Sequence, residues 1–261
     1  MKSFNNKVVW ITGASSGFGE AMAYAFAKEG AKLILSARRV DELKRVQANI
    51  NEATILPLDL TDRESFKDKT TQAINAYGHI DIVVHNGGIA QNALATETTS
   101  ETQRKIMDVD FFSYTELTNC LLPHFLERKS GHIVVTSGVL AKVAMPMRSS
   151  YCAAKAALHG YFDSLRVELV NDNIDVTILV PSFLNTALTS KALDAKGDVS
   201  GREATAEGCP VDKAARQVLK AVKNKKYEAF IGNNDKGRVL LWMSRMFPNA
   251  AKNMILKQVR K

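Results

Sequence analysis

Short apolar segments alternate along the chain with longer amphipathic ones. The apolar segments are rich in valine and isoleucine at successive positions, which is typical of strands covered by helices on both faces. The predicted strands are residues 7–11, 32–36, 54–58, 80–85, 131–136, 175–180 and 229–231. The predicted helices have the length and periodicity of amphipathic helices and are residues 17–29, 41–50, 63–77, 101–125, 151–169 and 212–223.

This alternation predicts an α/β fold with a doubly wound parallel sheet of about seven strands and helices on both faces. With 46% hydrophobic residues the chain can bury a large core. No proline- or serine-rich linker and no internal repeat divides it, so residues 1–261 are predicted to form one domain.

The net charge of +8 is concentrated at one end of the chain. Residues 213–261 contain 13 Lys or Arg against Glu228 and Asp235, a net +11, which leaves −3 for residues 1–212. Residues 237–261 are also apolar, and the favoured interpretation is a helix that covers the mouth of a site or a neighbouring subunit. Weak peripheral contact with an anionic membrane is the alternative. Nucleic acid binding is not expected, because no recognised motif accompanies the basic residues.

The remaining composition argues against several classes of protein. Cys120, Cys152 and Cys209 are widely spaced and the five histidines are scattered, so no metal site is predicted. No apolar run approaches the ~20 residues of a membrane-spanning helix. The chain starts without the apolar region of a signal peptide, and we therefore expect a cytoplasmic protein.

A glycine-rich turn, TGASSGFG at residues 12–19, follows the first strand and opens the first helix. Glycines allow the backbone to approach a pyrophosphate, and a helix start offers free N–H groups and a positive dipole end. A turn that binds no ligand is the alternative.

Tyr151 and Lys155 lie four residues apart on a predicted helix, so both side chains share one face. A free tyrosine has a pKa near ~10, and a nearby cation favours the phenolate and lowers that pKa. The pair is therefore a candidate for general acid–base chemistry. An amphipathic helix with a surface lysine is the alternative.

Together these residues resemble the short-chain dehydrogenase/reductase family. TGASSGFG matches its TGxxxGxG motif, and Tyr151 with Lys155 matches YxxxK. The sequence NGG at residues 86–88 resembles its NAG, and PSFLNT at residues 181–186 resembles its PGxxxT. The similarity looks greatest to the 11β-hydroxysteroid-dehydrogenase-like branch.

The resemblance implies a Rossmann-type fold, a nicotinamide dinucleotide cofactor and a homodimer or homotetramer. Lys155 would also hold the nicotinamide ribose. The residues expected to bind the cofactor are Gly13, Ser15, Ser16, Gly17, Phe18, Gly19, Arg38, Arg39, Asp59, Leu60, Asn86, Gly87, Gly88, Tyr151, Lys155, Pro181 and Thr186. For Asp59 a role in a turn or helix cap is nearly as good an interpretation.

The end of the second predicted strand indicates which cofactor is preferred. NAD-specific folds have an acid there that binds the ribose 2′-hydroxyl, whereas this chain has Ala37 followed by Arg38 and Arg39. Guanidinium groups pair well with phosphate, so NADP(H) is predicted, with Arg38 the first candidate and Arg39 the second. Solvated arginines in a loop are the alternative.

Two positions depart from the family pattern. The family's serine, 13 residues before the tyrosine, is Gly138 here, and Ser137, Ser149 or Ser150 are candidates to replace it. Asp110 stands where the family has an asparagine that holds a water in its proton relay. The predicted catalytic residues are accordingly Tyr151, Lys155, Asp110 and Ser137.

The segment from residue 187 to 210 has little apolar periodicity and is predicted to be a substrate lid. Apolar residues near the site indicate a mainly apolar alcohol or carbonyl substrate: Val139, Met145, Met147, Phe183 and Leu184. The predicted activity is hydride transfer between NADP(H) and a hydroxyl or carbonyl carbon, slowed by the two departures. The alternative is a non-catalytic NADP(H)-binding sensor or adaptor.

Overall fold

The computed structural model describes residues 3–201, 208–233 and 236–259. Its centre is a seven-stranded sheet in which every pairing is parallel, in the order β3-β2-β1-β4-β5-β6-β7. The strands are β1 (Val8–Thr12), β2 (Lys32–Ser36), β3 (Ala53–Ile55), β4 (Ile82–His85), β5 (Gly131–Thr136), β6 (Ile174–Pro181) and β7 (Glu228–Ile231). The predicted fold class is confirmed.

Helices cover both faces of the sheet, and the central strands β1, β4 and β5 are buried at every position. The helices are α1 (Gly17–Lys28), α2 (Val40–Gln47), α3 (Phe66–Tyr77), α4 (Ser100–Met107), α5 (Ser113–Arg128), α6 (Ser149–Glu168), α7 (Val211–Lys223), α8 (Lys236–Met246) and α9 (Pro248–Val259). Met22 of α1 and Val218 of α7 belong to one buried core, while Phe125 of α5 and Phe162 of α6 belong to another. The two cores hold the sheet between them.

The strand order reverses direction between β1 and β4. In a doubly wound sheet this reversal opens a crevice beyond the carboxyl ends of the strands, where ligands bind. The glycine-rich turn that follows β1 and the loop that follows β4 both start at this crevice. The fold thus brings together motifs that are about 70 residues apart in the sequence.

Two elements differ from the prediction. Strand β3 ends at Ile55 rather than residue 58, because Pro57 has no N–H to donate to the ladder, although the N–H groups of Leu56 and Leu58 still bond to β2 and the residue after it. The helix predicted over residues 101–125 is interrupted by a π-helical segment, Asp108–Phe112, between α4 and α5. Such segments occur frequently at functional sites.

The basic end of the chain contains α8 and α9, and a patch of apolar side chains is exposed there. Val239, Trp242, Met246 and Phe247 are each more than half exposed, and the rings of Trp242 and Phe247 meet edge to face. No helix in the described part of the chain is long and apolar enough to cross a membrane. What this patch contacts stays a prediction.

The start of the sheet is held by one buried carboxylate, Asp81. Its Oδ2 accepts a hydrogen bond from the Val8 amide at 2.9 Å, and its Oδ1 lies 3.2 Å from Lys7 Nζ and 3.4 Å from Arg128 Nη2. Burial opposes ionisation, but the Val8 N–H and the Lys7 ammonium outweigh it and lower the pKa of Asp81. The ionised form therefore stabilises the fold.

We expect Asp81→Ala to lower the free energy of unfolding by about 3 kcal/mol near neutral pH, because it leaves buried donors without their acceptor. Since the folded-state pKa is depressed, this contribution is present above the unfolded-state pKa of about 3.9 and is lost as the pH falls through the folded value. Urea unfolding at a series of pH values measures it. Asp41→Ala, at a fully exposed carboxylate, is the control. Equal stability of both variants at neutral pH would contradict the assignment.

Candidate active site

The glycine-rich turn packs directly against the loop that follows β4. Gly13 has a φ of +68°, and a Cβ there would lie 2.6 Å from the Cα of Gly87. A Cβ on Gly19 would lie 2.2 Å from the carbonyl oxygen of Gly13. Both positions therefore require glycine, and α1 begins close to the crevice. The Ser16 side chain does not cap α1 within the described residues, so N–H groups of its first turn remain available to a ligand.

A hydrogen-bond network fixes the ends of β1 and β4 relative to each other. Thr12 Oγ1 accepts bonds from the amides of Asn86 and Gly87 at 3.0 and 3.2 Å. Asn86 Nδ2 donates to the Thr12 carbonyl at 3.3 Å, and Tyr114 Oη donates to the Gly87 carbonyl at 3.0 Å. The NGG sequence is thus positioned by its backbone as well as by its asparagine.

A cavity of about 1050 Å³ occupies the crevice. Every residue predicted to bind the cofactor lines it, from the glycine-rich turn and the arginine pair to Tyr151, Lys155 and Thr186. The predicted catalytic residue Asp110 is not among the lining residues; it lies behind the wall, fully buried. The motifs that are scattered in the sequence therefore form one site.

The two arginines after β2 differ in their contacts. Arg39 Nη2 donates to Ser16 Oγ at 2.8 Å and to Ser15 Oγ at 3.2 Å, which holds its guanidinium against the glycine-rich turn. Arg38 is exposed at the edge of the same cavity. Of the two, Arg39 is therefore the arginine whose guanidinium is fixed beside the glycine-rich turn. The sequence analysis names Arg38 as the first candidate for cofactor preference. Asp59 Oδ1 accepts bonds from the amide and hydroxyl of Thr61, which is the role in a turn named as its alternative.

Helix α6 presents the Tyr151 and Lys155 side chains to the cavity. Its start is held by Gln91, whose Oε1 accepts from the Ser150 amide at 2.8 Å and from the Tyr151 amide at 3.4 Å. Lys155 Nζ donates to the Thr136 carbonyl at 3.3 Å and lies 5.7 Å from the centroid of the Tyr151 ring. The predicted pairing of phenol and ammonium on one helix face is therefore observed.

Asp110, in the π-helical segment, forms a buried ion pair with Lys155. Its Oδ2 lies 3.7 Å from Lys155 Nζ, too long for a hydrogen bond, and Oδ1 accepts from the Ile89 amide at 2.8 Å. Oδ2 has no hydrogen-bond partner among the described residues. Burial raises the pKa of Asp110 to about 6, even though the Lys155 charge and the Ile89 bond oppose that shift. Burial also lowers the pKa of Lys155.

The pKa of Tyr151 moves in the direction opposite to the expectation from sequence. Burial raises it well above its usual value, and the negative charge of Asp110 adds to this effect. The positive charge of Arg148 acts in the other direction. Tyr151 is consequently a protonated phenol at neutral pH in this structure, and Lys155 alone does not make it acidic.

Ser137 does not take the place of the missing serine. Its hydroxyl donates to the Lys155 carbonyl at 3.0 Å and lies 3.0 Å from His159 Nε2, so both of its partners are on α6. Ser137 lines the cavity, but its hydroxyl is engaged with α6 rather than left to donate elsewhere. Ser149 and Ser150 are not among the described residues that line the cavity.

Gln91 and Arg148 are among the residues of the site that the sequence analysis did not identify. Gln91 is fully buried and carries no motif, so nothing in the pattern distinguishes it. Arg148 lines the cavity, and its Nη1 donates to Asn92 Oδ1 at 3.2 Å. The sequence does offer a signal for Arg148, which is its position one helical turn before Tyr151.

The segment predicted as a lid folds back over the cavity. The Leu193 amide donates to the Ala90 carbonyl at 2.8 Å, and the Asn92 amide donates to the Leu193 carbonyl at 2.7 Å. Residues 202–207 of this segment lie outside the described residues, and its movement stays a prediction. Of the predicted apolar lining residues, Val139, Met145, Phe183 and Leu184 line the cavity. Met147 does not; its carbonyl instead accepts from the Ala93 amide.

Comparisons with known proteins agree with this geometry. A family model described as short chain dehydrogenase matches residues 7–197. The chain is 44% identical over 232 residues to the Dehydrogenase/reductase SDR family protein 7-like of Anopheles gambiae, covering 85% of this chain and 73% of that protein. It is 42% identical over 195 residues to the Dehydrogenase/reductase SDR family member 7 of Homo sapiens, covering 71% of this chain and 58% of that protein.

Two solved structures have the same fold. One is a short-chain dehydrogenase from Streptomyces avermitilis, with a TM-score of 0.82, 28% identity and coverage of 98% of this chain and 97% of that chain. The other is a short chain dehydrogenase/reductase from Burkholderia phymatum in complex with NAD, with a TM-score of 0.79 and 21% identity, covering 88% of this chain and 90% of that chain. At this lower identity the second structure shows the fold alone.

A parallel sheet with a glycine-rich turn at its switch point and a Tyr–Lys pair on the facing wall is the architecture of a dinucleotide-dependent dehydrogenase. With the family model and the relatives in agreement, the chain belongs to the short-chain dehydrogenase/reductase family, which is a family of oxidoreductases. The resemblance found in the sequence is confirmed, and the matches to family member 7 are consistent with the predicted branch.

Asp110→Asn is expected to lower the pKa of Tyr151, because it removes a negative charge that disfavours the phenolate. The ascending limb of kcat/KM for alcohol oxidation, which follows formation of the phenolate, should move to lower pH by about one unit. Because the pKa of Asp110 is about 6, the two profiles should converge below that pH, where both side chains are neutral. Asp108→Asn, at a partly exposed carboxylate near Arg63, is the control. A limb that does not move would exclude this electrostatic coupling.

Proposed function

We propose that the protein catalyses reversible hydride transfer between NADP(H) and a hydroxyl or carbonyl carbon of a mainly apolar small molecule. One observation carries the proposal. A single cavity connects the glycine-rich turn and Arg39 at one end to the Tyr151 hydroxyl and the Lys155 ammonium at the other. Such a cavity can hold a dinucleotide and bring its reactive ring to a proton donor.

The residues present fit a nicotinamide dinucleotide. Gly13 and Gly19 leave no room for a side chain at the turn, which allows the backbone and the start of α1 to approach a pyrophosphate. Lys155 would hold the ribose, and the loop after β4 would contact it. The bound nicotinamide would supply or accept the hydride. The NAD bound to the Burkholderia phymatum structure supports this use of the fold.

NADP(H) is preferred in this proposal over NAD(H). Ala37 leaves the position of the usual acid without a negative charge, and Arg39 is held beside the turn by Ser15 and Ser16. A guanidinium in that position pairs with a 2′-phosphate through charge-assisted hydrogen bonds. Arg38, exposed at the same edge, adds positive charge.

Tyr151 acts as the proton donor during carbonyl reduction and as the acceptor during alcohol oxidation. The raised pKa of Tyr151 keeps the phenol protonated at neutral pH, so a proton is available for carbonyl reduction, although a weaker acid has a smaller driving force for its transfer. Lys155 is oriented by the Thr136 carbonyl and by the charge of Asp110, and it supplies positive charge to the site. Phe183 and Leu184 give the substrate end apolar walls.

A non-catalytic NADP(H)-binding sensor is the second candidate. The observation in its favour is that Gly138 offers no side-chain donor and that the Ser137 hydroxyl is engaged with α6. Loss of one oxygen-orienting donor commonly costs about 10²–10³ in turnover. The intact Tyr151 and Lys155 favour the enzyme.

A cytoplasmic location and a homodimer or homotetramer remain part of the proposal. Phe112 and Leu126, on the long helical path from α4 to α5, are more than a third exposed and could contact a second copy. Weak contact with an anionic membrane through α8 and α9 is likewise an untested alternative.

Tyr151→Phe should reduce NADPH oxidation with a panel of ketones and aldehydes by at least about 100-fold, because it removes the proton donor. NADPH affinity should stay within about twofold, since the ring and Lys155 are kept. Steady-state absorbance and fluorescence titration measure the two quantities. Tight NADPH binding with the same slow background in both proteins would support the sensor instead.

Arg39→Ala should raise the Kd of NADPH about tenfold to 100-fold and leave that of NADH nearly unchanged, because the guanidinium recognises the 2′-phosphate. Fluorescence titration with each cofactor measures the ratio. Lys44→Ala, at an exposed cation of α2, is the control for general positive charge. If Arg38→Ala raises the Kd of NADPH more than Arg39→Ala does, Arg38 is the main contact to the 2′-phosphate, as the sequence ranks it.

A further inference from the structure

Gly138 lies beside the reactive hydroxyl but is required neither by its backbone nor by its packing. Its φ and ψ are both 167°, an extended conformation that any residue adopts. A Cβ built there would meet only the Pro181 carbonyl oxygen at 3.7 Å and the Tyr151 hydroxyl at 4.0 Å within the described residues. Both distances are ordinary van der Waals contacts. A larger side chain therefore fits, and the glycine leaves a gap.

This distinguishes Gly138 from the other glycines of the site. Gly13 and Gly19 allow two segments of backbone to touch, and a Cβ on either would overlap backbone atoms. Gly138 instead keeps space open at the wall of the cavity, next to Tyr151. Among the described residues no side chain fills that space, so it is open to a group of the substrate.

The walls of the gap determine which chemical group suits it. The two atoms nearest to the gap are a carbonyl oxygen and a phenol oxygen, so its surroundings are polar although Val139 and Phe183 line the cavity close by in sequence. A carbonyl oxygen has two lone pairs and accepts from a hydroxyl group. A hydroxyl group in the gap can donate to the Pro181 oxygen, which an apolar group cannot do.

We propose that the gap at Gly138 receives a hydroxyl group on the carbon next to the reacting carbonyl. The substrate class is then α-hydroxy ketones and aldehydes, and the corresponding vicinal diols in the oxidation direction. This inference rests on the proposed function. The neighbouring hydroxyl donates to the Pro181 carbonyl and is itself neither oxidised nor reduced. By fixing the adjacent carbon it orients the reacting carbonyl oxygen toward the Tyr151 hydroxyl.

The test compares matched substrates on three proteins. A series of aryl and alkyl methyl ketones is assayed beside the hydroxymethyl and methoxymethyl ketones of the same skeleton. The wild-type protein should prefer each hydroxymethyl ketone over its methyl ketone by about tenfold or more in kcat/KM, the value of one hydrogen bond. The methoxymethyl ketone has no proton to donate and should lose that preference.

Two substitutions fill the gap in different ways. Gly138→Ala blocks it without adding a donor, and should abolish the preference by lowering the rate for the hydroxymethyl ketone. Gly138→Ser fills it with a donor of its own, and should invert the preference by raising the rate for the methyl ketone. Gly160→Ala is the matched control, since a Cβ at this exposed glycine of α6 meets nothing within 4 Å among the described residues.

Equilibrium binding gives the same comparison without turnover. In the Tyr151→Phe background the hydroxymethyl ketone should bind about tenfold more tightly than the methyl ketone, and Gly138→Ala should remove the difference. An unchanged preference in Gly138→Ala, or equal rates for both ketones in the wild type, would overturn the inference and leave the proposed function standing. Absence of turnover with every carbonyl compound, despite NADPH binding, would overturn the proposed function and this inference with it.

Discussion

A lysine ammonium and an aspartate carboxylate are buried together behind the wall of the cavity, and neither would be stable there alone. Lys155 is 3% exposed and Asp110 is fully buried, so each depends on the other's charge. Their remaining partners, the Thr136 carbonyl and the Ile89 amide, belong to β5 and to the loop after β4. The ion pair and these two hydrogen bonds therefore connect α6 and the π-helical segment to the end of β5 and to the loop after β4. The geometry of the cavity depends on that connection.

The π-helical segment explains how the helical path between α4 and α5, which is distant from α6 in the sequence, supplies the carboxylate. Within Asp108–Phe112 the helical path widens, and Asp110 is directed at Lys155 while Ser113 and Tyr114 continue into the buried face of α5. Tyr114 then contacts the Gly87 carbonyl, and its ring lies 5.1 Å from Lys155 Nζ. An uninterrupted α-helix would place the side chains of Asp110, Ser113 and Tyr114 at different angles about the helix axis. The local irregularity thus directs Asp110 to the site, while Tyr114 remains in the core.

Much of this could be predicted from the sequence, and the part that could not has a physical reason. Buried strands such as β1 and β5 contain runs of successive apolar residues, and the glycines of the turn occupy positions where backbone atoms touch, so both leave local signals. Gln91 holds the start of α6 across 59 positions of sequence, and no local pattern records such a partner. The direction of the Ser137 hydroxyl was likewise decided by α6, which is distant in sequence. The pKa of Tyr151 depends on burial, and the spacing of Tyr151 and Lys155 in the sequence gives no information about burial.

The two departures from the family pattern both act on the Tyr151 hydroxyl. Burial raises the pKa of the Tyr151 phenol and the negative charge of Asp110 adds to that effect, while Gly138 leaves space beside the Tyr151 hydroxyl. A tyrosine that holds its proton strongly transfers it efficiently only to an oxygen that is already well oriented, because the weaker acid has a smaller driving force. Without a side-chain donor at position 138, that orientation has to come from the substrate. The charge of Asp110 and the absence of a side chain at Gly138 therefore jointly favour a substrate that carries a hydroxyl group beside its carbonyl.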